Sequence, residues 1–286
     1  MFGFPAIDDT DGVQRYRPDL SIEWVRSEDL VSGATKWFPA NLVFCPYMPP
    51  PGASTISTGS TNGAACGATR QDATLQALLE LVERDAFWYY SRTGFAPLGI
   101  PESQVPADVL EAMRRYRGVF HVQLLVNPFD LPVVQVAYES NGHEASATAR
   151  GTGVTGSLEL SIRRAFTECI QMLESLSSGQ AVGECVTDMR RLWFTGEARD
   201  AFPQFFEAVD TAAEVETDTS DFKASGELLS HIVGRARTGF GRLRRLAWAG
   251  QTFGLEYGII ISGVLYMAIA LLVGSGEGWR RIEVKE

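Results

Sequence analysis

Cysteine and histidine are scarce in this chain of 286 residues. The four cysteines, Cys45, Cys66, Cys169 and Cys185, lie far apart with no C-x-x-C, which supplies neither a zinc ribbon nor a disulfide framework and fits a reducing, cytoplasmic setting. The three histidines, His121, His143 and His231, form no H-E-x-x-H or paired spacing, which argues against zinc hydrolase chemistry. Basic charge is also short. With 25 Lys and Arg against 35 Asp and Glu, the net charge is −10, so a phosphate backbone would be repelled and no nucleic-acid partner is expected. The segment from Met1 to Asp9 has no basic n-region or apolar h-region, so no export is expected. Neither a phosphate-binding G-x-x-x-x-G-K-[ST] loop nor a kinase D-F-G set occurs.

What is present is ordinary globular composition, 45% hydrophobic and 21% charged, in a chain long enough to bury a sizeable core. Residues 1–53 are irregular and Pro-rich, read as short strands and loops around Trp37-Phe38 and Leu42-Val43-Phe44. A small-residue loop from Ser54 to Gly67 precedes a helical pattern from Gln71 to Tyr90, and Thr69 followed by Asp72 reads as its capping box. A second helix is expected over 106–117. Phe120–Val126 and Pro132–Glu139 read as an antiparallel hairpin around Asn127-Pro128-Phe129-Asp130. A glycine-rich turn, Gly151 to Gly156, then leads into a third helix from Ser157 to Ser177, and Thr211–Asp221 reads as a solvated acidic loop. Near the C-terminus, five arginines between Arg235 and Arg245 precede Tyr257–Gly276, twenty residues without a charge. That run reads as buried strands joined by a Gly turn, as a bilayer span, which would allow membrane association, or as a C-terminal segment that does not pack.

The first long helix carries the strongest chemical signal. Glu80 and Glu83 are three apart and share a helical face. They sit among Leu75, Leu78, Leu79 and Val82, where carboxylates are costly unless a cation satisfies them. Magnesium carrying a nucleotide phosphate meets that need. The bland alternative points both acids to solvent or pairs them with Arg84 and Arg92. The third helix repeats the device with Glu168 and Gln171 one turn apart. Gly151-x-Gly153-x-x-Gly156 matches a dinucleotide fingerprint in form, but a preceding hairpin opposes a βαβ unit, and a Gly turn entering a helix needs no ligand. Cys66 is either a loop nucleophile or, more simply, a buried small residue, and Cys169 and Cys185 read as structural.

Thr61-Asn62-Gly63-Ala64-Ala65-Cys66-Gly67-Ala68-Thr69, followed by Ala77-Leu78-Leu79-Glu80-Leu81-Val82-Glu83-Arg84-Asp85-Ala86, resembles the S-N-G-L-A-A-G-N-T and A-L-L-E-L-I-E-R-D-A signature of YcaO proteins. Arg164-Ala165-Phe166-Thr167-Glu168-Cys169-Ile170-Gln171 resembles the family's later R-A-L-T-E-x-x-Q segment. The resemblance covers about residues 20–180. It implies one α+β domain over 1–286, with mixed sheets packed on long helices, a core of nucleotide-site motifs at 54–180 and a diverged part at 181–286. It also implies ATP-dependent activation of a peptide backbone amide, forming an azoline or a thioamide, in the maturation of ribosomal peptide natural products. Carried over by motif, Glu80, Glu83 and Glu168 would bind magnesium, Arg84 and Gln171 would contact phosphate, and Thr61 and Asn62 would lie near the ATP. The implied partners are a precursor peptide, an adenylating-enzyme-like or TfuA-type protein, and a second copy in a homodimer. Three departures are visible: Ala68 replaces the usual Asn, 23 residues precede Trp24 where the family has a longer glycine-rich segment with its own E-x-x-E-R helix, and the apolar run with Gly274–Glu286 stands where C-terminal strands and a Pro-rich end are expected. They suggest the alternative of a non-catalytic subunit that binds a precursor peptide or partner enzyme.

Overall fold

The computed structural model describes residues 14, 17–30, 32–56, 61–140, 148–177, 192–193, 195–207 and 225–236. The acidic stretch 211–221, the apolar run 257–276, His143 and Cys185 lie outside the described residues. The chain divides into two compact units, one of residues 1–81 with 229–286 and one of residues 82–228.

In the first unit, β1 (Trp24–Glu28) pairs antiparallel with β2 (Thr35–Pro39), from Trp24 opposite Pro39 to Glu28 opposite Thr35. Their turn closes where the Asp29 N–H donates to the Ala34 carbonyl at 2.8 Å and Gly33 takes φ +71°. Leu42 and Val43 fall in a short helix, α1 (Ala40–Val43), rather than in the strand expected there. Helix α2 (Arg70–Thr93) starts in this unit. The N-cap half of the expected capping box is formed, the Asp72 N–H donating to Thr69 Oγ1 at 3.1 Å, and the Thr69 hydroxyl donates in turn to Asp72 Oδ2 at 2.8 Å. Arg70 adds an ion pair with Glu28 at 2.7 Å, tying the helix start to the end of β1.

The second unit is built on one antiparallel sheet ordered β3 (Leu98–Gly99), β4 (Gly118–Leu125), β5 (Val133–Ser140) and β6 (Thr148–Gly153). The expected hairpin is β4 and β5, in register from Gly118 opposite Ser140 to Leu125 opposite Val133. Asn127 organises its connection from within. Its Nδ2 donates to the carbonyls of Leu125 and Leu131 at 3.2 and 2.7 Å, while its Oδ1 accepts the Phe129 N–H at 3.1 Å.

One face of the sheet, with Leu124, Val134, Val136, Tyr138 and Ala149, packs against Val109 and Met113 of α3 (Ala107–Met113) and Ile162, Ala165 and Cys169 of α4 (Leu158–Ser177). Here the expected glycine-rich turn is corrected: Gly151 and Gly153 are the last part of strand β6. Their role is close approach. A Cβ on Gly151 would fall on the Ala165 carbonyl and the Cys169 amide of α4, and one on Gly153 would lie 2.6 Å from the Ser161 carbonyl. The glycines therefore let the helix backbone rest on the strand. The sheet is all antiparallel and no βαβ unit occurs among the described residues, so the glycine spacing is not a dinucleotide fingerprint. Alternation sends Gln123, Gln135, Arg150 and Thr152 to the opposite face, where Arg150 stacks over the Phe87 ring of α2 at 3.9 Å.

Candidate functional site

The second unit brings two of the expected acids to one residue. Thr152, on β6 at the sheet edge, donates its hydroxyl to Glu83 Oε1 at 2.6 Å. Its backbone N–H donates to Glu168 Oε2 at 2.7 Å, and the same Glu168 oxygen lies 3.2 Å from the Thr152 hydroxyl. A hydroxyl has one proton. The shorter contact takes it, leaving two carboxylates around one small side chain. Glu83 projects from α2 and Glu168 from α4, so the cluster exists because two helices bracket the same strand end. Thr152 was not among the residues the sequence singled out. The available signal was its place between Gly151 and Gly153, where a helix would have to approach the strand.

In the first unit the loop before α2 folds back onto that helix. The Gly63 N–H donates to Glu80 Oε2 at 3.0 Å, and Gly63 takes φ +78°, a conformation glycine adopts without strain. The Ala64 N–H closes on the Thr61 carbonyl at 2.8 Å, which fixes Thr61 and Asn62 in the turn that precedes it. Arg92 takes a different partner from the acids, lying 5.2 Å from the Trp88 ring centroid.

Along α4, Arg164, Glu168 and Gln171 follow one another at helical spacing on exposed positions. The Arg164 guanidinium donates to the Val154 carbonyl at 3.3 Å. Arg84 is half-buried on α2 beside Glu83 and Asp85. Burial pushes the Asp85 carboxyl up to about 6. Cys66 is exposed, which corrects the expectation of a buried small residue. Cys169 is buried against β6, and desolvation first, then the Glu168 charge, push its thiol far up, as befits a structural residue.

Among the described residues, no three His, Cys, Asp or Glu side chains cluster as a metal site. The donor set of Glu83 and Glu168 nonetheless fits magnesium, a hard ion held by one or two carboxylates together with waters and substrate phosphates. Among the described residues no helix is long and apolar enough to cross a membrane.

A family model described as YcaO cyclodehydratase, ATP- and Mg2+-binding, matches residues 5–239. A protein of Methanothermobacter thermautotrophicus with no assigned function is 28% identical over 155 residues, covering 52% of this chain and 40% of that protein. Among solved structures, a heterocyclase in complex with substrate and cofactor aligns with a TM-score of 0.66 at 22% identity over 79% of this chain and 31% of that chain. The heterocyclase TruD aligns at 0.65 and 18% identity over 82% and 33%. The structure of YcaO from Methanopyrus kandleri bound with AMPPCP and Mg2+ aligns at 0.58 and 25% identity over 79% and 59%. The chain thus spans less than two thirds of each of these proteins.

Proposed function

The chain belongs to the YcaO family, and from that premise we propose that it uses ATP and Mg2+ to activate a backbone amide of a precursor peptide, in the azoline- or thioamide-forming class of reactions. The observation that carries the reading is the meeting of Glu83 and Glu168 on Thr152.

An amide oxygen is a very poor leaving group, and transferring a phosphoryl group to it makes it a good one. Magnesium, when bound, offsets the negative charge on the phosphates. The protein's part is to bind and orient. Glu83 and Glu168, with Glu80 one helical turn earlier on α2, would hold the ion. Arg84 and Gln171 would contact phosphate oxygens, and the Thr61–Asn62 turn would lie near the nucleotide. Thr152 would keep the two carboxylates at fixed separation, so that no reorganisation is needed when charge develops.

Isothermal titration of the full chain with a non-hydrolysable ATP analogue, with and without magnesium, tests the proposal. Binding that depends on magnesium is expected. Folded protein that binds no analogue under either condition would overturn it and leave the non-catalytic, partner-binding alternative.

A further inference from the structure

The face of the sheet that carries Thr152 and Arg150 also holds a buried carboxamide row. Register places Gly99 opposite Gln123, Gln123 opposite Gln135, and Gln135 opposite Thr152, one residue from each of the four strands. Gln123 is 2% exposed and Gln135 fully buried. Among the described residues, neither Nε2 nor Oε1 of either side chain has a hydrogen-bond partner. Four orphaned amide atoms side by side in one core are unusual, because buried polar groups are nearly always paired with protein or ordered water. Their loss of hydration costs on the order of 1–3 kcal/mol each if nothing replaces it.

The position of the row says what would complete it. Directly opposite residues on paired strands have Cβ atoms about 4.5–5.5 Å apart, within reach of one bridging molecule, and the Gln135 amide makes no direct hydrogen bond to Thr152. The Thr152 hydroxyl donates to Glu83, and its oxygen retains acceptor capacity. A group placed between the strands would donate to Thr152 Oγ1 and to a glutamine Oε1 while accepting from a glutamine Nε2. Water has that valence, and three polar partners are what a buried water ordinarily makes.

We propose that the Gln123–Gln135–Thr152 row is a hydrated seam, in which ordered water bridges the two carboxamides to the Thr152 hydroxyl and holds its proton on Glu83. Gln135 is then a positioning residue for the carboxylate pair, acting through Thr152 without touching nucleotide or peptide. Its effect on metal affinity rests on the magnesium reading given above. The water itself does not.

The test is a high-resolution crystal structure of the full chain, paired with Mn2+ titration by electron paramagnetic resonance in the absence of nucleotide. Water density is expected within about 2.7–3.2 Å of Gln135 and of Thr152 Oγ1. The variant Gln135→Met, close in shape and without amide atoms, is expected to lose that density and to bind Mn2+ about tenfold more weakly, the usual cost of removing an outer-sphere partner. Its thermal stability is expected to fall only modestly, because two buried polar atoms go with the water while the Gln123 amide loses its bridge. Amides satisfied by protein atoms from other segments, or empty density at the row, would overturn the seam. Water present in the wild type but unchanged Mn2+ affinity in Gln135→Met would overturn the positioning role. Failure of the wild type to bind Mn2+ at all would count against the magnesium reading, while the density would still decide the seam. Should Gln135→Met fail to fold, Gln123→Met removes one side of the same bridge and is expected to lose the same water.

Discussion

The Thr152 hydroxyl reaches Glu83 Oε1 at 2.6 Å across 69 residues of sequence, and this contact joins the edge of the sheet to the helix that bears the E-x-x-E pair. Glu168 arrives from a third element at the backbone N–H of the same threonine.

Removing that hydroxyl has a direct cost. Hydrogen bonds to charged groups are worth about 1.5–3 kcal/mol, and Thr152 is buried. Thr152→Val is therefore expected to lose about 2 kcal/mol in urea denaturation, while Thr152→Ser keeps most of it. A valine variant as stable as the wild type would show that the contact contributes nothing.

Glu80→Gln together with Glu83→Gln retains acceptor oxygens for the Gly63 N–H and the Thr152 hydroxyl while removing both negative charges. The double variant is expected to keep its circular dichroism spectrum and lose magnesium-dependent binding of an ATP analogue. Unchanged nucleotide affinity would remove these residues from the site.

Gly151→Ala places a methyl against the backbone of α4. Overpacking of this kind costs about 1–3 kcal/mol or more, and backbone cannot swing aside as a flexible side chain can. A loss of at least about 3 kcal/mol, or failure to fold, is expected by denaturant titration. Gly234→Ala, with nothing within 4 Å and a helical position, is expected to be neutral or to gain up to about 1 kcal/mol from helix propensity.

His121 sits 3.2 Å from Glu139, which also pairs with Arg199. Burial first, and the Arg199 charge second, hold its imidazole below the ordinary histidine range, so the contact with Glu139 is a hydrogen bond of neutral histidine in spite of its ion-pair distance. The unfolded chain binds a proton that the folded one excludes. Stability should therefore fall as pH drops below about 6.5, the unfolded value. Thermal melts at pH 7.5 and 5.5 should show a larger drop for the wild type than for His121→Gln, and equal drops would refute the assignment.

Local signals carried much of the architecture. The period of Leu75, Leu78, Leu79 and Val82 and the Thr69–Asp72 pair located α2 to within a few residues, because a helix is written in contacts three and four positions apart. Asn127 and its neighbours marked the hairpin for a similar reason. Glycine was misread where its use is tertiary: Gly151 and Gly153 resemble a turn on paper, and only the approach of α4 explains them as strand residues. Cys66 was misplaced too, since a small residue in a small-residue loop carries no periodicity from which to read burial.

The sequence by itself determined the helices α2, α3 and α4, the hairpin and the spacing of the acids at 80, 83 and 168, all of them properties of order along the chain. What only the tertiary structure decided is which groups meet. Thr152 between Glu83 and Glu168, and Gln123 beside Gln135 beside Thr152, follow from strand order and register. A shift of one residue in that register would send each of these side chains to the other face, and no local pattern in β6 records which alignment wins. The packing of the Leu124, Val134 and Val136 face against α3 and α4 settles it.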